Sequence, residues 1–141
     1  MDLVFVCREA VEDSLLANVA AAIEAKEKGL DVGVLFTGEA LWALAGESFR
    51  WSPLFQGRSM RAQISRNATA RGIEIGHPKD PRWTDRNRLL DSAAGKGVHL
   101  LACPVWASLL GIEEEIPDRL TPLDRDSLLQ ELQGAKVIGG F

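Results

Sequence analysis

The sequence is poor in cysteine and histidine, with two residues of each among 141. Two cysteines, Cys7 and Cys103, are too few for a disulfide framework, and two histidines with two dispersed cysteines make a poor metal signature. We therefore expect reduced thiols and no bound metal.

Long apolar runs and a secretion signal are also absent. No run approaches the roughly 18–20 apolar residues that a membrane-spanning helix needs. The N-terminus, Met-Asp-Leu-Val-Phe-Val-Cys, lacks the basic start and the small-residue cleavage site of a signal peptide. These features predict a cytoplasmic protein without a membrane span. At 141 residues the chain has the size of one domain, so a single domain is expected over residues 1–141.

The net charge of −4 argues mildly against nucleic acid as a partner, but the charge is unevenly distributed. Residues 50–88, here called the Arg-rich segment, carry nine basic and three acidic residues, a local net charge of +6 that leaves −10 on the remainder. Such asymmetry can mark a docking surface, and Trp51 and Trp83 beside arginines are typical of protein interfaces. A solvated helix face with ordinary packing under a loop is the alternative, and both interpretations stay open here.

Short apolar runs alternate with helical patterns along the chain. Strands are predicted at 2–6, 31–36, 98–103 and 136–139, with 73–75 as a brief further candidate. A helix capped by Asp13 or Ser14 and ended by Gly29 is predicted first. Further helices are predicted after Thr37, at 59–71, at 84–96, from Pro104 to Gly111, and from Thr121, Pro122 and Asp124 to Gly134. Such alternation implies right-handed βαβ units, so the expected fold class is α/β: a three-layer α/β/α fold with a mostly parallel sheet of about five strands.

Both cysteines fall at the carboxyl ends of predicted strands, where ligands of such sheets bind. Cys7 ends the first strand and Cys103 ends the strand at 98–103. Pro104 is favoured at a first helical position, which predicts Cys103 at the N-cap of a helix. Unpaired N–H groups and the helix dipole there favour a thiolate, which is the nucleophilic form of cysteine. Cys103 is the leading catalytic candidate and Cys7 the second; the alternative for each is a small buried apolar side chain.

Missing motifs exclude several other chemistries. The chain has no Cys-x-x-Cys pair, neither cysteine is followed six positions later by the arginine of a cysteine phosphatase loop, and no glycine-rich nucleotide-binding motif follows a strand. His99 lies roughly 13 Å from Cys103 along one strand, at ~3.3 Å per residue, which is too far for a general base.

Three segments of the chain resemble the DsrE/DsrF-like family of small sulfur-handling proteins. They are residues 28–41 (Lys-Gly-Leu-Asp-Val-Gly-Val-Leu-Phe-Thr-Gly-Glu-Ala-Leu), residues 97–103 (Gly-Val-His-Leu-Leu-Ala-Cys) with Leu-Gly-Ile at 110–112, and residues 135–141 (Ala-Lys-Val-Ile-Gly-Gly-Phe). Each motif is short, so their order and spacing are the stronger evidence.

The resemblance implies a three-layer α/β/α fold and assembly into homo- or hetero-oligomers, often trimers or hexamers. In members that keep the cysteine it also implies a persulfide carrier in sulfur relay, with sulfur-donor and acceptor proteins as partners and no cofactor. On this mapping Cys103 matches the sulfur-carrying cysteine. The Arg-rich segment is longer than the family pattern leads us to expect.

Two other functions stay open from the sequence. One is a non-catalytic oligomeric protein that binds a small ligand at the strand ends or acts as a scaffold. The other is a redox sensor that pairs Cys7 with Cys103, which requires their Cα atoms to lie within about 7 Å.

Overall fold

A computed structural model describes residues 1–46, 48–80 and 83–141, which form a parallel five-stranded sheet between helices. The strands are β1 (Leu3–Cys7), β2 (Val32–Phe36), β3 (His99–Ala102), β4 (Thr121–Pro122) and β5 (Lys136–Ile138). The helices are α1 (Glu12–Glu27), α2 (Gly38–Gly46), α3 (Arg58–Ala70), α4 (Arg86–Gly95), α5 (Pro104–Leu110) and α6 (Arg125–Gln133), with a short 3-10 helix at Pro53–Phe55. The predicted three-layer α/β/α fold is confirmed.

The strand order β4-β3-β2-β1-β5 determines where the helices lie. From β1 to β4 the chain steps in one direction, and right-handed crossovers keep the connecting helices on one face of the sheet. The return from β4 to β5 runs in the opposite direction, so α6 lies on the other face. β2, at the centre, is buried at every position because strands pair on both its edges and side chains cover both its faces.

The first face of the sheet carries the larger core. Alternate strand residues point toward it, as the two-residue period of a strand requires. They pack against apolar side chains of α1, α2 and α4. The fully buried members of this core include Cys7, Leu15, Val19, Ala22, Ile23, Val32, Val34, Phe36, Ala40, Leu41 and Ala93.

The second face of the sheet has a thinner cover. Val4, Leu35 and Leu101 point to this face, and Leu128 of α6 packs on them together with Cys103. Partly buried side chains complete the cluster: Met1, Trp106, Leu123, Leu132 and Ala135. Among the described helices, the nine-residue α6 therefore provides the main cover of this face.

The start of α1 differs from the prediction. Its N-cap residue is Val11, whereas Asp13 and Ser14 were expected to cap the helix. The Asp13 carboxylate instead accepts hydrogen bonds from the N–H and O–H groups of Ser52, at 2.8 and 2.7 Å. The Ser14 hydroxyl donates to the Phe141 carbonyl at 2.6 Å. The cap prediction was wrong because both side chains are engaged by segments distant in the sequence.

Two further local predictions need correction. Residues 73–75 are not assigned as a strand among the described residues; Ile73 and Ile75 are buried in the first-face core, so their apolar pattern reflects packing. Thr121 and Pro122 form the edge strand β4, which pairs with Leu101 and Ala102, whereas a helix start was predicted there. Proline is tolerated at a sheet edge. The Arg-rich segment includes Pro81 and Arg82, which lie outside the described residues, as does Glu47.

Of the helices in the described ranges, none has the length and apolar character that crossing a bilayer requires.

A matched pair of leucines tests the assignment of the core. Leu41 is 0% exposed and Leu54, in the 3-10 helix, is 87% exposed. We expect Leu41→Ala to lower the free energy of unfolding by about 2–5 kcal/mol, because it leaves a cavity in the core. Leu54→Ala should change it by less than about 0.5 kcal/mol. Urea denaturation measures both, and equal effects would contradict the assignment.

Candidate functional site

The carboxyl ends of the parallel strands meet at one edge of the sheet and place the two cysteines there. Cys7 is the last residue of β1, and Cys103 directly follows β3. Main-chain hydrogen bonds align these strand ends: the Cys103 N–H donates to the Phe36 carbonyl at 3.0 Å, and the Thr37 N–H donates to the Cys7 carbonyl at 3.1 Å. This edge is where α/β sheets of this kind bind ligands.

Cys103 is the N-cap residue of α5, as predicted from Pro104. Its backbone is extended (φ −67°, ψ 119°), Pro104 occupies the first turn, and the Cys103 carbonyl accepts from the Ala107 N–H at 3.0 Å. Gly111 ends the helix at φ 67°, a left-handed conformation that favours glycine. The local sequence therefore determines this strand-to-helix turn.

The Cys103 side chain is packed rather than open to solvent. The residue is 6% exposed and belongs to the second-face cluster with Leu35, Leu101 and Leu128. Trp106 and Leu123 pack against the same cluster. A reagent or partner thiol therefore reaches this sulfur only when part of the α6 cover moves.

The Cys7 side chain lies in the first-face core and is 0% exposed. Burial raises the pKa of Cys7 to about 12, because the thiolate would lose its hydration; the nearby Glu9 charge raises it further, and a hydrogen bond with Ser14 partly opposes the shift. Near neutral pH this thiol is protonated. The geometry gives Cys7 no way to act as a nucleophile without unfolding.

The two cysteines are poorly placed to form a disulfide. Cys7 pairs with Phe36 on β2, and Phe36 pairs with Ala102 on β3, so two strand spacings, roughly 9.5 Å, separate the two strand ends. Their side chains also belong to cores on opposite faces of the sheet. This separation exceeds the reach of a disulfide, so the folded chain does not support the Cys7–Cys103 redox sensor.

A cleft of about 200 Å³ opens beside Cys103 at the ends of β3 and β4. Six of its seven lining residues are apolar and one carries a carboxylate: Ala102, Pro104, Ala107, Glu113, Ile116, Pro122 and Leu123. The two chain neighbours of Cys103 line the cleft, while the Cys103 side chain packs with the second-face cluster. Small-molecule sites are often apolar concavities of this kind with a few polar groups.

The crevice where the strand order reverses lies between β1 and β5. Phe141 occupies it: its ring lies 5.9 Å from that of Phe5, and its carbonyl accepts from Ser14. Phe141, which is 51% exposed, therefore lies at the place where open α/β sheets most often bind ligands.

Four arginines of the Arg-rich segment make contacts within the chain. The guanidinium groups of Arg58 and Arg61 lie 5.6 and 5.0 Å from the ring centre of Trp83. Arg86 lies 4.9 Å from the ring of Phe49, and Arg88 donates to the Gly76 carbonyl at 2.8 Å. The contacts of Arg58, Arg61 and Arg88 lie within the segment and that of Arg86 reaches Phe49, so these four side chains take part in local packing.

Glu12 is a further charged residue at this edge that the sequence did not single out. It begins α1, with its side chain 22% exposed and its carboxylate 3.7 Å from Nη1 of Arg86. Burial raises the pKa of Glu12, while the charges of Arg86 and Arg61 and hydrogen bonds from Thr84 and Trp51 partly oppose the rise. The excess of arginine in residues 50–88 was a signal in the sequence for a partly buried carboxylate partner.

The histidines lie away from the cysteines. Nε2 of His99 is 3.0 Å from Asp31 at the opposite edge of the sheet, and Nδ1 of His77 accepts from the Lys79 N–H. Within the described ranges, no group of three or more His, Cys, Asp or Glu residues has the arrangement of a metal site.

No family model matches the chain, and a comparison with curated proteins finds no significant match.

The raised pKa of Cys7 predicts a loss of stability in alkali. The folded thiol binds its proton more tightly than the unfolded thiol, so its contribution is complete below about pH 9.0 and declines as pH rises toward about 12. The slope is at most about 1.4 kcal/mol per pH unit. Urea denaturation from pH 8 to 10 should show this slope in wild type and Cys103→Ala but not in Cys7→Ala. An unchanged slope in Cys7→Ala would contradict the assignment.

The raised pKa of Glu12 has a parallel consequence in acid. The folded carboxyl holds its proton more tightly than the unfolded one. The contribution of Glu12 to the free energy of unfolding therefore increases as pH falls from neutral toward 4.5. Glu12→Gln lacks this group, so the difference in unfolding free energy between wild type and variant should shift in favour of wild type as pH falls. Denaturation curves between pH 7 and 4.5 measure this difference. A shift of the opposite sign would show that the arginines dominate.

Proposed function

We propose that the chain is a sulfur carrier of the DsrE/DsrF-like type, in which Cys103 accepts a sulfane sulfur and passes it on. The observation that carries the proposal is the position of Cys103 at the carboxyl edge of the sheet, as N-cap of α5 and beside an apolar cleft. Cys7 has neither the helix start nor any exposure, so it has no role in this transfer.

The transfer needs one nucleophilic sulfur and no cofactor. The Cys103 thiolate attacks the outer sulfur of a donor persulfide; an S–S bond forms at Cys103 while the donor S–S bond breaks. The donor leaves as a thiolate and takes up the proton that Cys103 released, so there is no net oxidation. An acceptor thiolate then attacks the outer sulfur of the Cys103 persulfide and regenerates the thiolate. In both steps the attacking group and the leaving group are thiolates.

Access to Cys103 is part of the proposal. Cys103 is buried in one cluster with Leu128, against which Trp106 and Leu123 pack, so the donor reacts when α6 or the segment before it moves away. α6 is short and covers its face with few apolar side chains. The free energy of local opening is therefore lower here than in the first-face core.

We also propose a cytoplasmic homo-oligomer, a trimer or hexamer, with sulfur-donor and acceptor proteins as partners. Exposed apolar side chains on α5 and α6 support assembly: Val105 is 38%, Leu109 69% and Leu129 66% exposed. Because α5 and α6 contact one another, a subunit that covers these side chains would also control how readily α6 opens over Cys103.

A non-catalytic ligand-binding or scaffold protein is the second candidate function. The near-complete burial of Cys103 favours it, together with the cleft of about 200 Å³ at the strand ends. In that case Cys103 is a small apolar packing residue, and its substitution leaves function unchanged.

Persulfide formation tests the carrier function. After incubation with glutathione persulfide, mass spectrometry should find one added sulfur on the peptide that contains Cys103, and Cys103→Ser should lose it. Cys7→Ser is the matched control and should retain it. Leu128→Ala removes part of the cover at a cost of about 2–5 kcal/mol in stability, and it should raise the rate if circular dichroism shows that it folds.

If neither wild type nor folded Leu128→Ala acquires sulfur on Cys103, the carrier function is wrong. Equal labelling of Cys103→Ser would likewise show that the transfer does not use this residue.

A further inference from the structure

Arg86 is a partly buried cation whose buried Nε has an incomplete set of partners. Its side chain is 16% exposed, and its Nη1 lies 3.7 Å from the Glu12 carboxylate, too long for a hydrogen bond. Among the described residues, the buried Nε of Arg86 has no hydrogen-bond partner, and neither has the buried Nε of Arg61. Leaving a buried charged donor unpaired is costly, so native proteins usually provide an acceptor.

A cavity of about 90 Å³ lies against Arg86, on the α4 side of the sheet. It is distinct from the cleft beside Cys103. Two guanidinium groups and one carboxamide line it, over apolar side chains: the full wall is Leu44, Ala45, Arg86, Asn87, Leu90, Pro117, Arg119 and Leu120. A single water needs only about 10–15 Å³ by a comparable measure, so the cavity has room for a small polyatomic ion.

An anion in the cavity would bind side chains, because backbone N–H groups at the start of α4 already have an acceptor. The Asp85 carboxylate accepts from the N–H groups of Asn87 and Arg88 at 3.0 and 3.3 Å and so caps α4. Asp91 pairs with Arg119 at 2.6 Å. Arg86 has Glu12 as its ion-pair partner, and burial favours protonation of that carboxyl, which would leave Arg86 less neutralised.

We propose that this Arg86 cavity binds a small tetrahedral oxyanion, of the class of inorganic phosphate and sulfate. Such an ion would lie against the Arg86 guanidinium and supply the acceptor that it lacks, with Arg119 and the Asn87 amide as further donors. Guanidinium groups suit oxyanions because they donate two parallel hydrogen bonds. The apolar wall from Leu44, Leu90 and Leu120 lowers the local dielectric and strengthens the attraction. The site is independent of sulfur transfer at Cys103, whose side chain lies on the other face of the sheet.

The test is a titration of the purified protein with sodium sulfate and sodium phosphate against sodium chloride, all at one ionic strength. Amide chemical shifts in ¹⁵N spectra should change saturably at residues 86–90 and 118–120 with sulfate or phosphate and not with chloride. Asn87→Asp places a negative charge on the cavity wall, in the first turn of α4 where an acidic residue is compatible with the helix. It should weaken binding at least about tenfold.

Asn67→Asp adds the same charge on the exposed surface of α3 and is the matched control. It should leave the affinity within about twofold, since a distant exposed charge is screened by salt. The proposal would be overturned if sulfate and phosphate, like chloride, caused no saturable shifts, or if Asn87→Asp and Asn67→Asp lowered the oxyanion affinity equally. Shifts confined to residues outside the cavity would do the same.

Discussion

The packing of α6 on the second face of the sheet encloses Cys103 in an apolar cluster with Leu128, and access to the Cys103 sulfur depends on this packing. The right-handed crossover rule places α6 alone on this side among the described helices, because the chain reverses direction only between β4 and β5. Leu128 and its neighbours then close over the cysteine. The same topology that puts Cys103 at the start of a helix, beside a cleft, therefore also covers its side chain.

The contrast between the two cysteines follows from the same sheet. Both lie at strand ends on the carboxyl edge, but their side chains point to opposite faces of the sheet. Cys7 lies in the larger core under α1, and Cys103 lies under the thinner cover that α6 provides. Burial in the thick core keeps the Cys7 thiol protonated. Position along a strand alone does not distinguish such residues; the layer of helices over each face does.

Local patterns in the sequence were sufficient for much of the fold. The apolar runs of β1 and β2, and the Pro104–Gly111 boundaries of α5, were predictable because each signal lies within the element itself. β4 was not, since a two-residue strand containing proline exists only through its pairing with β3. The buried Ile73 and Ile75 were mistaken for a strand because an apolar alternation does not show whether a ladder partner is present.

The candidate site was predictable only in part, for a related reason. The turn at Cys103 is encoded by adjacent residues, whereas the covering of its side chain depends on Leu128, far along the chain. Likewise, the Arg-rich segment was visible in the composition. The contacts of Arg61 with Trp83 and of Arg86 with Glu12 were not predictable, because they join residues far apart in the sequence. Strand register and helix packing supply those contacts, and neither can be read from local spacing.

Sulfur transfer at Cys103 requires a local opening of α6 that exposes this cysteine while the rest of the chain stays folded. The most direct measurement is the rate at which a small thiol reagent modifies each cysteine at increasing, sub-denaturing urea concentrations. Cys103 should react at least about tenfold faster than Cys7, with a weaker dependence on urea than global unfolding shows. Equal rates for the two cysteines, both following global unfolding, would contradict the account.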